Sequence, residues 1–243
     1  MFSGFLKNRS SKMTLFVLGT LALLAFLAFA TWRSALILRE LAPTTNLLLL
    51  PAENLMRVVL ILVCLLLARV SGLPDDRFGW STTNTVHFLF IGLAVGVVVA
   101  LIVPLLTRWA VTQFGGHIYS PIVVQSILPR RRIEWVWVPL ALAPAVALEE
   151  LLFRSLLLGG LSIFAPPILL AVVWSIIFGT MHAPQGSFGI VVAAALGLLL
   201  SILFLVTQNL LAPMFAHYAI NLLQLIWASK DRYWEKYFES SHP

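Results

Sequence analysis

The sequence predicts an all-α fold, a polytopic membrane helical bundle of about seven spans. Composition is the first reason, because 60% of the 243 residues are hydrophobic and only 11% are charged, which is typical of membrane proteins and not of soluble domains. The second is the division of the chain into apolar segments close to the roughly 20 residues that a helix needs to cross a bilayer. Third, basic residues lie mostly at the ends of these segments, where lipid headgroups begin.

The membrane also explains the net charge of +6. Anionic headgroups and positive-inside topology account for basic residues at the ends of spans, so we expect no nucleic-acid partner. Cys64 is the only cysteine. An intramolecular disulfide, a CxxC redox motif and a cysteine metal cluster are therefore excluded.

The first predicted span covers residues 13–32 and follows a leader that contains Lys7, Arg9 and Lys12 but no acidic residue. A small-residue motif near its end is similar to a signal-peptidase site. The segment is nevertheless longer than the roughly 7 to 15 residues of a signal peptide's apolar core, so we expect a retained helix. The basic leader predicts a cytoplasmic N-terminus.

The second span centres on residues 58–68, an apolar stretch that is short for a full crossing. Two arrangements are compatible with the sequence. The span can include residues 47–50 if Glu53 and Arg57, which are four apart, pair on one helix face. Alternatively, residues 35–50 form an interfacial or re-entrant piece of their own.

The third span, residues 86–106, contains Gly92 and Gly96, a GxxxG pattern that we interpret as ordinary helix packing. A less apolar segment follows and ends in three arginines at 130–132. This cluster conflicts with the basic N-terminus, because two cytoplasmic clusters require an even number of spans between them and we count three. Either residues 35–50 enter the membrane, or one cluster is placed against the rule.

The rest of the chain divides into four closely spaced spans and a tail. The predicted spans are residues 135–158, 165–182, 188–206 and 210–227. Short connections between them are typical of an antiparallel bundle. The predicted regions are an N-terminal transmembrane region with its basic loop at 1–133, a core at 134–228 and a polar tail at 229–243.

Three charged side chains lie inside the apolar segment 140–159: Glu149, Glu150 and Arg154. A charge within a bilayer costs several kcal/mol unless it faces a partner or a water-filled cavity, so these residues are functional candidates. On a helix, Glu150 and Arg154 share a face and can pair, whereas Glu149 points about 100° away. We therefore expect a structural ion pair beside a carboxylate that stays available for chemistry.

Later spans contain two further pairs at four-residue spacing: Phe178 with His182, and His217 with Asn221. Taken singly, each histidine is most simply an interfacial or interhelical hydrogen-bonding group. Together with Glu149 they suit a hydrolytic site, because a carboxylate and a histidine can deprotonate a water. A second histidine and an amide can donate hydrogen bonds to the oxyanion that forms when water attacks a peptide carbonyl.

Two alternatives use the same residues. Glu149, His182 and His217 are ligand types that can bind zinc and leave one position open, although the sequence has no HExxH motif. The non-enzymatic alternative is a transporter or immunity-type membrane scaffold, in which the polar residues form a proton relay or join helices. The sequence shows no internal repeat of the kind common in transporters.

The chain resembles the CPBP intramembrane proteases, also called the CAAX protease and bacteriocin-processing, or Abi, family, in three ordered motifs: Glu149-Glu150-x-x-x-Arg154, Phe178-x-x-x-His182 and His217-x-x-x-Asn221. This family includes the Ras-converting prenyl-protein endopeptidases. The resemblance covers about residues 134–228, and no motif position departs from the family pattern.

The resemblance implies an integral-membrane endopeptidase with a four-helix catalytic core. Glu149, aided by His182, would activate the attacking water, and His217 with Asn221 would stabilise the oxyanion. The remaining motif residues would have structural roles: Glu150 and Arg154 as an ion pair, and Phe178 as a supporting side chain.

Cofactor, partners and location also follow from the resemblance. Members have been described both as metalloproteases and as glutamate-dependent enzymes; we expect no cofactor, with zinc as the alternative. The expected partners are the lipid bilayer and a membrane protein or lipidated peptide substrate, such as a prenylated CAAX protein, a bacteriocin leader or a regulatory membrane peptide. We expect a multi-pass protein of a bacterial cell membrane, and the sequence predicts no oligomeric state.

Overall fold

The computed structural model describes residues 2–40, 45–81 and 83–230, which contain helices and loops and no β-strand. Eight α-helices lie in these ranges: α1 (Phe2–Glu40), α2 (Pro51–Ser71), α3 (Thr85–Phe114), α4 (Ile122–Ile127), α5 (Glu134–Glu150), α6 (Pro167–Met181), α7 (Gly186–Thr207) and α8 (Leu211–Ala228). α5 continues into a π-helix, Leu151–Gly159, and a 3-10 turn, Gly160–Ile163. Most of the predicted tail, from residue 231 onward, lies outside the described residues.

Within the described ranges, six helical segments are long and apolar enough to cross a membrane, which confirms the predicted membrane bundle. Their bounds are Ser10–Leu38, Pro51–Ser71, Thr85–Phe114, Glu134–Ile163, Ala183–Thr207 and Leu211–Ala228. The remaining predicted span, at 165–182, is α6. Its 15 residues extend about 22 Å at 1.5 Å per residue, which is less than the roughly 30 Å of a bilayer core.

The segment before α2 takes neither of the two predicted arrangements. α1 extends to Glu40, a separate 3-10 turn covers Leu47–Leu49, and α2 begins at Pro51, a residue suited to the first helical turn. Inside α2, Arg57 Nη2 lies 3.7 Å from Glu53 Oε2. The second span therefore reaches 21 residues by including this charge pair, without residues 47–50.

Packing partners show how the helices run relative to one another. Gly96 of α3 packs against Ala216 of α8, and further along both helices Arg108 lies over Trp227, so α3 and α8 are parallel. α5 is antiparallel to α8, because its last residue, Glu150, meets His217 in the first half of α8, while Val138, near the start of α5, clusters with Leu225, near the end of α8. The C-terminal ends of α3 and α8 therefore lie on the same side of the bundle as the arginines that precede α5.

The start of the first span lies on the opposite side. A Cβ on Gly160, beyond the far end of α5, would lie 2.5 Å from the Phe16 ring of α1. Three helices, α1 to α3, separate this end of α1 from the arginines at 130–132. The start of α1 and the arginines at 130–132 therefore lie toward opposite ends of the bundle, and which of the two faces the cytoplasm stays a prediction.

The larger hydrophobic core surrounds the π-helix. Leu152, Leu156, Leu157 and Leu158 are fully buried there, among side chains from α1, α2, α6 and α7. A smaller cluster lies between α5 and α8 and includes Val138 and Leu142 with Leu225. The two clusters hold α5, α6, α7 and α8 around the predicted site residues.

The GxxxG pair sets the distance between α3 and α8. A Cβ at Gly92 would meet the carbonyl oxygen of Ala212, and one at Gly96 would lie 2.6 Å from the carbonyl oxygen of Ala216. Small residues of this kind let two helix backbones approach closely. The pattern is therefore a packing element, and it positions the helix that carries His217.

Replacing Gly96 with leucine is expected to lower the free energy of unfolding by about 1 to 3 kcal/mol or more, because an added side chain has no space against α8. Thermal unfolding of the purified protein measures the change. Val98→Leu is the matched control, since Val98 lies on the same helix and is 56% exposed. Equal unfolding temperatures for the two variants would contradict the close α3–α8 contact.

Candidate active site

α5 changes from α-helical to π-helical geometry directly after its two glutamates, and every residue of Leu151–Gly159 is buried. π-Helical turns are rare and frequently occur at functional sites. The connection between α2 and α3 holds this segment in place: Ser155 Oγ donates a 2.6 Å hydrogen bond to the Phe78 carbonyl and accepts one of 3.1 Å from Trp80 Nε1. A side chain at Gly159 would collide with the Arg77 carbonyl oxygen. Close packing on all sides therefore fixes the backbone that follows the glutamates.

Glu150 and Arg154 form a buried ion pair. Their side chains are 0% and 1% exposed, and Arg154 Nη1 lies 3.1 Å from Glu150 Oε1. Arg154 Nη2 donates a 3.0 Å hydrogen bond to the Gly197 carbonyl of α7, and the guanidinium carbon lies 5.3 Å from the centre of the Phe178 ring of α6. Arg154 thus joins α5, α6 and α7 at one point.

His217 connects this ion pair to the second glutamate. Its Nδ1 lies 2.7 Å from Glu150 Oε1. Because an ionised carboxylate can only accept, Nδ1 is the donor and carries a proton. Nε2 lies 3.7 Å from Glu149 Oε2, and the Glu149 side chain is 39% exposed. Glu150 therefore fixes the imidazole so that its other nitrogen points toward Glu149.

A cation on α2 lies near the same carboxylate. Arg57 interacts electrostatically with Glu149 as well as with Glu53 of its own helix. The four-residue spacing predicted the contact between Arg57 and Glu53. The interaction of Arg57 with Glu149 joins two helices that are far apart in sequence, so no local pattern indicated it. Arg57 places a positive charge at the site from outside the predicted catalytic core.

His182 follows directly after the last residue of α6. Its Nδ1 lies 2.7 Å from the Phe178 carbonyl oxygen, which can only accept, so Nδ1 is again the donor and Nε2 is left as an acceptor. The Phe178 ring centre lies 4.5 Å from that of His182 and 6.0 Å from that of His217. Phe178 therefore contacts both histidines. Within the described residues, Glu149 and His182 share no hydrogen bond.

A cavity of about 130 Å³ opens beside the histidines, between α3, α6, α7 and α8. His182, His217 and Asn221 line it, with apolar side chains such as Val192 and Leu196 forming much of the wall. Glu149 is not part of this wall and approaches the cavity through His217. The predicted residues thus form two groups that share His217: a charge cluster with both glutamates and Arg154, and a cavity wall with His182 and Asn221.

Two amides in the cavity wall, Gln185 and Gln224, were not predicted from the sequence. Gln224 is three residues after Asn221 and seven after His217, so helical spacing could have indicated it. Gln185 lies in the 3-10 turn Ala183–Gln185, where helical spacing gives no signal. Both supply hydrogen-bonding groups to a wall that is otherwise mainly apolar.

The three alternative zinc ligands do not converge. Among the side chains that the structure describes, no group of three or more His, Cys, Asp or Glu residues could hold a metal ion. Glu149 and His217 approach each other. The bond of His182 to the Phe178 carbonyl uses Nδ1 and leaves Nε2 as an acceptor, so this bond by itself does not prevent metal binding. The described residues therefore show no preassembled cluster of these three ligands, and the choice between a metal-free site and a zinc site stays a prediction.

Residues 131–223 match a family model described as Rce1-like, type II CAAX prenyl endopeptidase Rce1-like. The matched segment contains all three sequence motifs, and the resemblance to the CAAX protease family is confirmed over this part of the chain. No curated protein matches the chain, and no solved structure does.

Proposed function

We propose, from the premise that residues 131–223 match the Rce1-like CAAX prenyl endopeptidase family model, that the protein is a multi-pass membrane endopeptidase that uses Glu149 to activate water. One observation carries the mechanism. Glu149 Oε2 lies 3.7 Å from His217 Nε2, while the other nitrogen of that ring is held 2.7 Å from the buried Glu150. A partly exposed carboxylate beside a fixed imidazole supports general-base hydrolysis.

In the proposed reaction, the Glu149 carboxylate takes a proton from water as the water oxygen bonds to the scissile carbonyl carbon. The electron pair of the carbonyl moves onto its oxygen and forms the oxyanion. His182 Nε2, left as an acceptor by the bond from Nδ1 to Phe178, receives a hydrogen bond from the attacking water. When the oxyanion collapses, the carbon–nitrogen bond breaks and the amine takes the proton from Glu149.

His217 and Asn221 are proposed to stabilise the oxyanion from α8. Both line the cavity, and on a helix their four-residue spacing places them on one face. Asn221 donates from its amide. In this proposal His217 already carries a proton on both ring nitrogens before the water attacks, so Nε2 donates to the oxyanion and the step takes up no further proton.

The proposed chemistry needs no metal ion. A positioned carboxylate and histidine can deprotonate water by themselves, and the candidate zinc ligands do not converge in the described residues. Chelation therefore belongs in the test of this function.

The proposed substrate is a membrane-associated protein or lipidated peptide. The apolar cavity wall and the surrounding spans support a substrate that enters from the bilayer. The family description favours a prenylated CAAX peptide; a bacteriocin leader and a regulatory membrane peptide are the other candidates.

We expect the purified protein in lipid nanodiscs to cleave a farnesylated CAAX peptide, with the new termini identified by mass spectrometry. The unprenylated peptide, a bacteriocin leader and a membrane peptide are tested in parallel. Cleavage should persist after treatment with a zinc chelator. Loss on chelation with recovery on added zinc would contradict the metal-free mechanism, and no cleavage of any peptide would contradict the endopeptidase function and favour a membrane scaffold.

A further inference from the structure

A second groove lies on the outer surface of the bundle, where α3 and α8 run in parallel. Its volume is about 320 Å³. The lining residues are Ala100, Leu101, Arg108, Leu223, Ile226, Trp227 and Lys230. Of the lining residues that the structure describes, two are cationic and none is acidic, so this part of the groove combines an apolar wall with positive charge.

The charges lie toward one end of this groove. Lys230 follows the end of α8, and Arg108 is six residues before the end of α3, which corresponds to about 9 Å along the helix axis. The Arg108 guanidinium carbon lies 5.8 Å from the Trp227 ring centre, and a tryptophan at this depth is typical of the membrane interface. The apolar end, at Ala100 and Leu223, lies deeper along the same two helices.

We propose that this groove binds an acidic phospholipid, with the headgroup phosphate between Arg108 and Lys230 and an acyl chain along the apolar wall. Basic pockets between transmembrane helices are suited to anionic headgroups. The apolar end favours a lipid over free phosphate, because a soluble anion would leave that wall uncovered. The exposed apolar surface of α3 fits this occupant, since Leu101 in the groove and Leu105 one turn further are 53% and 57% exposed.

The charged residues of the groove are not part of the candidate active site. Arg108 and Lys230 do not line the cavity around His182 and His217. Trp227 is the residue common to both sites, since it borders the cavity and the groove. The proposal does not depend on the proposed enzymatic function, and a binding measurement tests it directly.

The test is native mass spectrometry of the full-length protein in a neutral detergent, titrated with phosphatidylglycerol. Phosphatidylcholine with the same acyl chains is the neutral-lipid comparison, and glycerophosphoglycerol supplies the headgroup without acyl chains. We expect a saturable complex with one phosphatidylglycerol, and weak binding of the other two ligands. The double variant Arg108→Gln/Lys230→Gln should raise the dissociation constant for phosphatidylglycerol roughly tenfold or more.

The control variant is Lys12→Gln/Arg33→Gln, which removes two exposed positive charges from α1 instead; its affinity should equal that of the wild type. Lys230→Gln alone changes an exposed residue after the end of α8 and provides a milder variant if the double variant does not fold; it should bind several-fold more weakly. Equal binding of phosphatidylcholine, tight binding of the soluble headgroup, unchanged affinity in the groove variants or an equal loss in the control would each overturn the proposal.

Discussion

Replacing Glu149 with glutamine is expected to reduce peptide cleavage by about 10²- to 10⁴-fold, the usual contribution of a general base. Glutamine keeps the shape of the side chain but cannot take a proton from water. The loss should fall on kcat with little change in KM, because the base acts in the transition state and not in substrate binding. The side chain is 39% exposed, so the variant should unfold at nearly the wild-type temperature.

Glu53→Gln is the matched control for this prediction. It also removes one carboxylate near Arg57, but Glu53 lies at the start of α2 and contacts none of the motif residues through a described hydrogen bond or ion pair. Its activity should remain within a few-fold of wild type. If Glu149→Gln turned over peptide at the wild-type rate, Glu149 could not be the base that activates water.

Replacing Arg154 with alanine is expected to lower the free energy of unfolding by about 3 to 5 kcal/mol, because it leaves the fully buried Glu150 without its cationic partner. The hydrogen bond to the Gly197 carbonyl is lost as well. Cleavage should fall together with stability, since Glu150 also holds His217 in place. Thermal or denaturant unfolding and the peptide assay, carried out on the same preparations, measure the two effects.

The double variant Glu150→Leu/Arg154→Met separates the two roles of this cluster. Replacing both charges with apolar side chains of similar size should restore much of the stability, but not the activity, because His217 Nδ1 then has no carboxylate partner. Recovery of activity in the double variant would contradict a positioning role for Glu150. An Arg154→Ala protein that is inactive but as heat-stable as wild type would instead indicate that Arg154 contacts the substrate directly.

The sequence predicted the helical bundle because backbone groups in lipid must be satisfied within each segment, so long apolar runs have few alternatives to a helix. The same reasoning was less accurate for α6, where the apolar run at 165–182 is interrupted at its start by Pro166 and Pro167 and yields a helix of 15 residues. Hydropathy measures the apolar character of a segment, but prolines and tertiary contacts set where its helix begins and ends.

For the candidate site, the sequence patterns used for prediction relate residues that are only four positions apart. This spacing predicted that Glu150 and Arg154 can share a helix face, and the structure places their side chains 3.1 Å apart. The bond between His217 and Glu150 joins residues 67 apart in sequence, and Arg57 approaches Glu149 from another helix. Such contacts depend on how whole helices pack, which residue spacing does not encode. The catalytic roles of these residues stay predictions until the variants are measured.

Because a π-helix follows Glu150, the number of residues in this segment determines how the site is oriented. The turns of a π-helix hold more residues than α-helical turns, because each hydrogen bond spans one additional residue. Deleting one residue between 151 and 159 could restore an α-helical ladder, but it would rotate the preceding helix by about 100° relative to the following segment. Consecutive side chains on a helix are separated by the same angle of about 100°. The rotation would therefore turn both Glu149 and Glu150 away from their present positions around His217. Segment length, as much as residue identity, therefore specifies which glutamate is buried and which is available.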